Sequence, residues 1–564
     1  MFRQEIKNLA QIAASLGVRR VVIAPGSRNA PLTLAFTAQE GMHCYPVTDE
    51  RSAAFFALGM AQYSDHPVAV VCTSGTAVLN VAPAVAEAYY QHLPLIVITA
   101  DRPAAWIDQA DGQTIRQQNI FGNYIKASFQ LPTDVEGIST WQSDRTVAQA
   151  IDLSMQFPRG PVHLNVPLDQ PLYVALPDKH SNPRVIRSLA TEINPDKQTS
   201  ELFVDSWNKA SKRMILVGIG RQNNPLSTML ESIARETETV VIAENLSNIS
   251  GKNIIANPDM FFASLSEDEK MQLQPELLIT IGHSIISKQL KQYLRQYKPQ
   301  EHWHLQSELP YADTYQSLDY ILPVKAEKLL SLLFDSADFA QPGLWFKDDV
   351  RSYSRLCSAI HQRSSDKAEA YFNTIALSDI AVMRELLPQV PSGWVLQIAN
   401  STPIRMSQLF DTRADLVYFS NRGTSGIEGS LSTAAGSAVA SAKPTLLISG
   451  DLSFLYDSNG LWNCNFPPNL KILVLNNGGA NIFSMIGNNE VTAHAQEFFD
   501  ASHQVDIANL TSAFGLKHLL CSKIDELQSQ IVHFLQFAGP AVLEVITEKN
   551  INVSTYKELF KHIR

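Results

Sequence analysis

Short runs of valine, isoleucine and leucine recur along the chain, each bounded by glycine, proline or polar turns and followed by apolar residues at helical spacing. Runs that are apolar at every position predict strands of a parallel sheet covered on both faces. In the first third the pattern predicts strands over residues 21–24, 68–72 and 95–99 and a last strand over 160–167, with helices starting at Glu50 and running through 77–91. A second strand series opens at 214–220 and continues at 240–243 and 277–281. A third contains 444–448 and 471–475 and ends at 539–545, a faint echo of the first. The polar stretch 177–200 reads as a linker and 335–378 as a mostly helical connection. The expected fold class is therefore α/β, with three doubly wound parallel-sheet domains over 1–180, 200–334 and 375–564.

Length agrees, because 564 residues exceed what one hydrophobic core serves. A net charge of -10 without a long basic run argues against nucleic acid or an anionic membrane as partner. Cys44, Cys72, Cys357, Cys464 and Cys521 form no CxxC pair, so neither a disulfide framework nor a zinc site is indicated. Residues 1–16 form an amphipathic pattern without the apolar core of a signal peptide, and no apolar run approaches the roughly 18 residues of a membrane span. A soluble, cytoplasmic protein is expected.

The candidate chemistry starts at two strand ends. Gly450-Asp451-Leu452-Ser453 follows one apolar strand, and Asn477-Gly478-Gly479 follows another. Either alone is an ordinary turn. Together, a carboxylate and a carboxamide from neighbouring parallel strands make hard oxygen ligands for Mg²⁺ or a similar ion, with a diphosphate completing the octahedron. Far upstream, Thr48-Asp49-Glu50-Arg51 opens a helix, where acids are favoured by the helix dipole on any account. Beside a metal-diphosphate clamp a second role arises. Glu50 is then the candidate acid for N1′ of the pyrimidine of thiamine diphosphate, whose 4′-amine becomes a base once N1′ is protonated.

Several motifs carry a family resemblance. They are Ala24-Pro25-Gly26-Ser27-Arg28-Asn29-Ala30-Pro31, Thr48-Asp49-Glu50-Arg51, Cys72-Thr73-Ser74-Gly75-Thr76-Ala77 and Ala100-Asp101-Arg102-Pro103. They continue with Asn421-Arg422-Gly423-Thr424-Ser425-Gly426-Ile427-Glu428-Gly429 and Gly478-Gly479-Ala480-Asn481-Ile482-Phe483-Ser484. In these the chain resembles the thiamine diphosphate-dependent enzymes of the pyruvate-decarboxylase and acetolactate-synthase superfamily. Within it, the chain is similar to the 2-succinyl-5-enolpyruvyl-6-hydroxy-3-cyclohexene-1-carboxylate synthases of menaquinone biosynthesis. The resemblance is strong over both outer domains and weak over the middle one.

The resemblance implies the three-domain fold of the thiamine diphosphate-dependent decarboxylases, with a pyrimidine-binding first domain and a diphosphate-binding third. It implies decarboxylation of 2-oxoglutarate and 1,4-addition of the succinyl carbanion equivalent to isochorismate, a transferase reaction. It also implies Asp451, Asn477 and the Gly479 carbonyl as ligands of Mg²⁺ or Mn²⁺, with Gly450, Leu452 and Ser453 at the diphosphate. Ile427 would sit under the cofactor to hold it bent, and Ile482, Phe483 and Ile486 would wall the pocket. Ser27, Arg28, Arg102, Gln113 and Lys288 fall on the isochorismate side, and Ser401, Arg405 and Arg422 on the 2-oxoglutarate side, although which arginine serves which carboxylate stays open. Active sites at subunit interfaces follow, with a homodimer as the least active unit and a homotetramer as the expected assembly.

Two positions depart from the pattern. Leu452 stands where the superfamily commonly has a glycine, and Gly112 where such synthases carry asparagine before Gln113. Gly218-Ile219-Gly220 lacks the third glycine of a dinucleotide fingerprint, and His302 and His304 lack a third ligand for zinc, so both read as structural. The rival readings are another 2-oxoacid decarboxylase or acetolactate-type synthase, and a cofactor-binding protein without catalysis.

Overall fold

The computed structural model describes residues 3–132, 138–175, 181–189, 191–305, 311–335, 348–486 and 498–564. Three six-stranded sheets divide the chain, and every recorded strand pair is parallel. The first is built from β1 (Arg20–Ile23), β2 (His43–Pro46), β3 (Val68–Cys72), β4 (Leu95–Asp101), β5 (Ser128–Gln130) and β6 (Val162–Pro167), in the order β2-β1-β3-β4-β6-β5. The second contains β7 (Arg213–Val217), β8 (Val240–Ala243), β9 (Ile254–Ile255), β10 (Leu277–Ile281), β11 (Glu301–Leu305) and β12 (Tyr320–Leu322), in the order β12-β11-β10-β7-β8-β9. The third comprises β13 (Val395–Ile398), β14 (Val417–Phe419), β15 (Thr445–Gly450), β16 (Leu470–Asn476), β17 (Lys517–Cys521) and β18 (Ala541–Ile546), in the order β14-β13-β15-β16-β18-β17.

The first and third sheets thus share one topology, which the echo between 160–167 and 539–545 foreshadows. The middle sheet has the order of a dinucleotide fold. Its Gly218 nevertheless serves packing, since a Cβ there would lie 1.9 Å from the His283 carbonyl oxygen. β3 and β4 are buried at every position, as their unbroken apolar runs require.

One helical expectation is corrected. The run 77–91 is not one helix but two, Thr76–Asn80 and Ala82–Tyr90. Pro83 has no amide to continue the ladder and its ring crowds the carbonyl four residues back, so the axis breaks at Val81. In the connection, Asp348–Phe372 is helical, whereas described residues 181–189 form no regular element.

The first and third domains share a core. Helix Glu50–Tyr63 lies against helix Ser430–Ser441, and Phe55, Phe56, Leu431 and Ala434 are buried in one cluster. Glycines permit the approach: a Cβ on Gly59 would lie 1.9 Å from Thr433 O, and one on Gly436 would lie 1.9 Å from Phe56 O. No described helix is long and apolar enough to cross a membrane. His302 Nε2 and His304 Nδ1 both meet the Thr280 hydroxyl, at 2.9 and 2.7 Å, consistent with a structural pair.

Candidate active site

In a parallel sheet, every strand delivers its following loop to the same edge. β15 and β16 are neighbours, with Gly450 paired to Leu475, so Asp451 and Asn477 emerge side by side. Asp451 opens helix Asp451–Tyr456 and is only 2% exposed. Its Oδ1 accepts the Leu452 amide at 2.7 Å, and its Oδ2 accepts the Gly479 amide at 2.9 Å and faces His503 Nε2 at 3.2 Å. Burial raises its pKa, against which the Leu452 amide and His503 act. A buried carboxylate raised in this way gains from a cation.

Asn477 supplies the complementary atom. Its Oδ1 is buried and has no hydrogen-bond partner among the described residues. Gly478 (φ +76°) and Gly479 (φ +147°) form the turn behind it in backbone conformations that side-chain-bearing residues rarely adopt. Beneath the pair, the buried carboxyl of Asp379 accepts from Thr547 Oγ1 at 2.8 Å and Asn552 Nδ2 at 3.0 Å. Burial pushes Asp379 up to about 6, Asp451 raises it further, and a hydrogen bond from Asn477 opposes the rise. An orphaned carboxamide oxygen, a buried carboxylate and a glycine turn fit a hard divalent ion with a diphosphate. Among the described residues no three His, Cys, Asp or Glu side chains gather to hold a metal, so any site here rests on a different donor set.

The neighbouring parts converge on this edge. Ser453 donates to the Ile427 carbonyl at 2.7 Å, tying the half-exposed Ile427 to the helix that follows Gly450. No atom lies within 4 Å of a Cβ built on Gly450, and Leu452 fills the first turn of the short helix without a positive φ, which answers the departure noted at that position. Ile482 and Phe483 open helix Ile482–Ile486, with Phe483 49% exposed and its ring 5.4 Å from that of Phe499. The side chain of Ile486 lies outside the described residues.

β13 and β14 bring a second group together. Ser401 caps helix Thr402–Ser407, which carries Arg405, and Arg422 follows β14. Arg422 is half-buried, its Nη1 donates to Asn400 Oδ1 at 3.1 Å, and the buried Nε atoms of Arg405 and Arg422 have no hydrogen-bond partner among the described residues. Burial lowers the pKa of Arg422, and the charge of Arg405 lowers it further. The two guanidiniums repel each other while Glu244 and Glu87 act on Arg422 in the opposite sense, and donors without a partner among the described residues can meet a carboxylate.

The first sheet gathers the third group. Arg28, 6% exposed, donates to the Leu168 carbonyl at 2.8 Å. Its pKa is lowered by burial first and by Arg102 next. Arg102 bonds the Gly112 carbonyl at 2.8 Å and pairs with Asp111 at 3.2 Å. Ser74 Oγ holds the Gln113 carbonyl at 2.8 Å, and the Gly75 amide donates to Gln117 Oε1 at 2.9 Å. Ser27 and Gln113 are exposed. A Cβ on Gly112 would meet nothing within 4 Å, so the glycine there reflects no steric demand.

Two predicted residues stand apart. Lys288 is exposed at the start of helix Lys288–Gln296, while Lys291, one turn on, lies within electrostatic reach of Arg405 and Arg422. Glu50 is half-buried at the start of its helix, whose Asp49 cap accepts from Ser52 at 3.0 Å. Its charge is a secondary cause, after burial, of the raised Cys72 thiol pKa at the end of β3. Sequence reading passed over Glu87, Asp379, His503 and Lys291. Only Glu87 left a signal, as the one charge in the apolar helix Ala82–Tyr90.

Residues 7–122 match the family described as "Thiamine pyrophosphate enzyme, N-terminal TPP binding domain", and residues 401–545 match the corresponding C-terminal TPP binding domain. Residues 190–384 match "Middle domain of thiamine pyrophosphate". The chain is 39% identical over 564 residues to the 2-succinyl-5-enolpyruvyl-6-hydroxy-3-cyclohexene-1-carboxylate synthase of Flavobacterium psychrophilum, covering 99% of this chain and 98% of the relative. The chain belongs to this synthase family. The relative of the same name in Desulfotalea psychrophila is 38% identical over 552 residues, covering 97% of this chain and 98% of its own. That of Bacteroides thetaiotaomicron is 36% identical, covering 99% of each. Synthases of this family are thiamine diphosphate-dependent enzymes, and the two terminal domain matches fall on the two sheets that carry Glu50 and Asp451.

Proposed function

We propose that the chain decarboxylates 2-oxoglutarate and adds the succinyl carbanion equivalent to isochorismate, releasing CO₂ and forming 2-succinyl-5-enolpyruvyl-6-hydroxy-3-cyclohexene-1-carboxylate for menaquinone biosynthesis. The observation that carries the reading is the register of β15 with β16, which sets the buried Asp451 beside an Asn477 Oδ1 that has no hydrogen-bond partner among the described residues. Thiamine diphosphate supplies the carbanion chemistry when bound.

The protein's own residues then divide the work. Asp451, Asn477 and the Gly479 carbonyl hold Mg²⁺ or Mn²⁺, while Gly450, Leu452 and Ser453 line the diphosphate. Glu50 would hold the proton that N1′ of the bound pyrimidine needs. Ile427 would support the bound cofactor, and Ile482, Phe483 and Ile486 would wall the pocket against water. Ser401, Arg405 and Arg422 take the carboxylates of 2-oxoglutarate, where an arriving anion relieves the repulsion between the two guanidiniums. Ser27, Arg28, Arg102, Gln113 and Lys288 orient isochorismate. Residues 1–180, 200–334 and 375–564 act as pyrimidine, central and diphosphate domains. Glu50 and Asp451 serve different subunits' sites in a homodimer or homotetramer, in the cytoplasm.

The test is loss of isochorismate absorbance on mixing the protein with 2-oxoglutarate, thiamine diphosphate and Mg²⁺, omitting each in turn. Loss that needs all components, with the adduct identified by mass, is the expected result. Persistence of isochorismate while pyruvate is consumed would move the chain to the acetolactate-type enzymes, and no oxoacid turnover would overturn catalysis altogether.

A further inference from the structure

Glu87 is 1% exposed, lies in the first domain, and meets the third. Its Oε1 accepts the Gly423 amide at 2.7 Å, and its Oε2 accepts the Thr424 amide at 2.6 Å and the Thr424 hydroxyl at 2.5 Å. The Gln91 carboxamide donates to the same carboxylate. Among the described residues none of its hydrogen bonds comes from a cation, so three donors from one turn hold the buried charge. The turn also lies directly on the helix, since a Cβ on Gly423 would be 2.6 Å from the Glu87 carbonyl oxygen.

The residue before this turn is Arg422. Upstream, Asn421 is clamped as well: its carbonyl accepts Asn400 Nδ2 at 2.5 Å, and its side chain bonds Thr433 Oγ1 at 3.0 Å and Gln62 Nε2 at 3.2 Å. Arg422 is therefore fixed on one side by Asn421 and on the other by Glu87, and the buried Nε of its guanidinium has no hydrogen-bond partner among the described residues. A planar fork discriminates carboxylates only when its origin is held to within a fraction of an ångström.

We infer that Glu87 is a positioning residue for substrate carboxylate recognition, acting through the backbone of Gly423 and Thr424 to hold Arg422. The inference rests on the reading of Arg422 as a ligand of 2-oxoglutarate. Glutamine in its place keeps the shape, but its NH₂ must face one of the two amide N–H groups in either rotamer, so a donor meets a donor and the turn shifts.

The experiment measures kcat, KM for each substrate, cofactor affinity and melting temperature for E87Q, T424V and T424S in full-length holoenzyme. The expected result for E87Q is a rise of at least about fivefold in KM for 2-oxoglutarate, with KM for isochorismate and thiamine diphosphate affinity unchanged. T424V, lacking only the hydroxyl donor, shows a smaller rise in the same constant, and T424S restores the wild-type value. If E87Q does not fold, the Thr424 pair decides. An unchanged KM for 2-oxoglutarate in E87Q or T424V, or equal changes in all constants with a lowered melting temperature, would overturn the inference. Wild-type protein that fails to consume 2-oxoglutarate would instead overturn the underlying reading.

Discussion

The amide of Gly479 donates to Oδ2 of Asp451 at 2.9 Å, so the turn after β16 is fastened to the carboxylate at the end of β15.

Gly479→Ala breaks the turn. Its φ of +147° disfavours any side chain, and the new Cβ would lie 2.3 Å from the Asp500 carbonyl oxygen. The variant should lose the rise in melting temperature that thiamine diphosphate with Mg²⁺ gives the wild type, and at least about 100-fold in turnover. A wild-type thermal shift would refute the assignment of this turn to the metal.

Glu50→Gln tests the other end of the cofactor. The amide cannot deliver a proton to N1′, so turnover should fall by about 100-fold or more, while calorimetric binding of thiamine diphosphate persists. Near-normal turnover in that variant would remove Glu50 from the mechanism.

The interdomain helix contact should tolerate no added methyl. Gly59→Ala and Gly436→Ala each drive a Cβ to 1.9 Å from backbone oxygen, which costs about 1–3 kcal/mol or more in a packed interface. Both midpoints of urea unfolding should fall. Because the two positions share one contact, the double variant should lose less than the sum of the singles.

Stability should depend on pH through Asp457, which is 0% exposed and accepts from the amide of Ser432 at 2.6 Å and its hydroxyl at 3.0 Å. Burial pushes this carboxyl from 3.8 up to about 7. A folded pKa above the unfolded one favours the neutral acid, so its stabilisation is full below about pH 4 and is lost as pH rises through about 7. Asp457→Asn removes the titration. Its melting temperature should therefore decline less than that of the wild type between about pH 5 and about pH 8.

Much of the architecture was legible in the chain because parallel strands buried on both faces must be apolar throughout. Residues 68–72, 240–243 and 277–281 begin and end as expected for that reason. The helical run 77–91 misled because apolar spacing continues across Pro83 while the hydrogen-bond ladder does not. Glu87 and Asp379 were passed over because an isolated acid in a helix looks alike whether it meets solvent or a buried backbone turn from another domain.

What the sequence determined by itself was the local chemistry: the strand runs, the glycine turns that only glycine tolerates, and the motifs around Glu50, Arg422, Asp451 and Asn477. Only the tertiary structure decided which of these meet. Asp451 stands beside Asn477 because β15 and β16 are adjacent, Arg405 nears Arg422 because β13 and β14 are, and Lys291 lies within electrostatic reach of both arginines. Strand order and helix-face orientation are set by which apolar surfaces pack together over hundreds of residues, a relation that no local stretch of sequence contains.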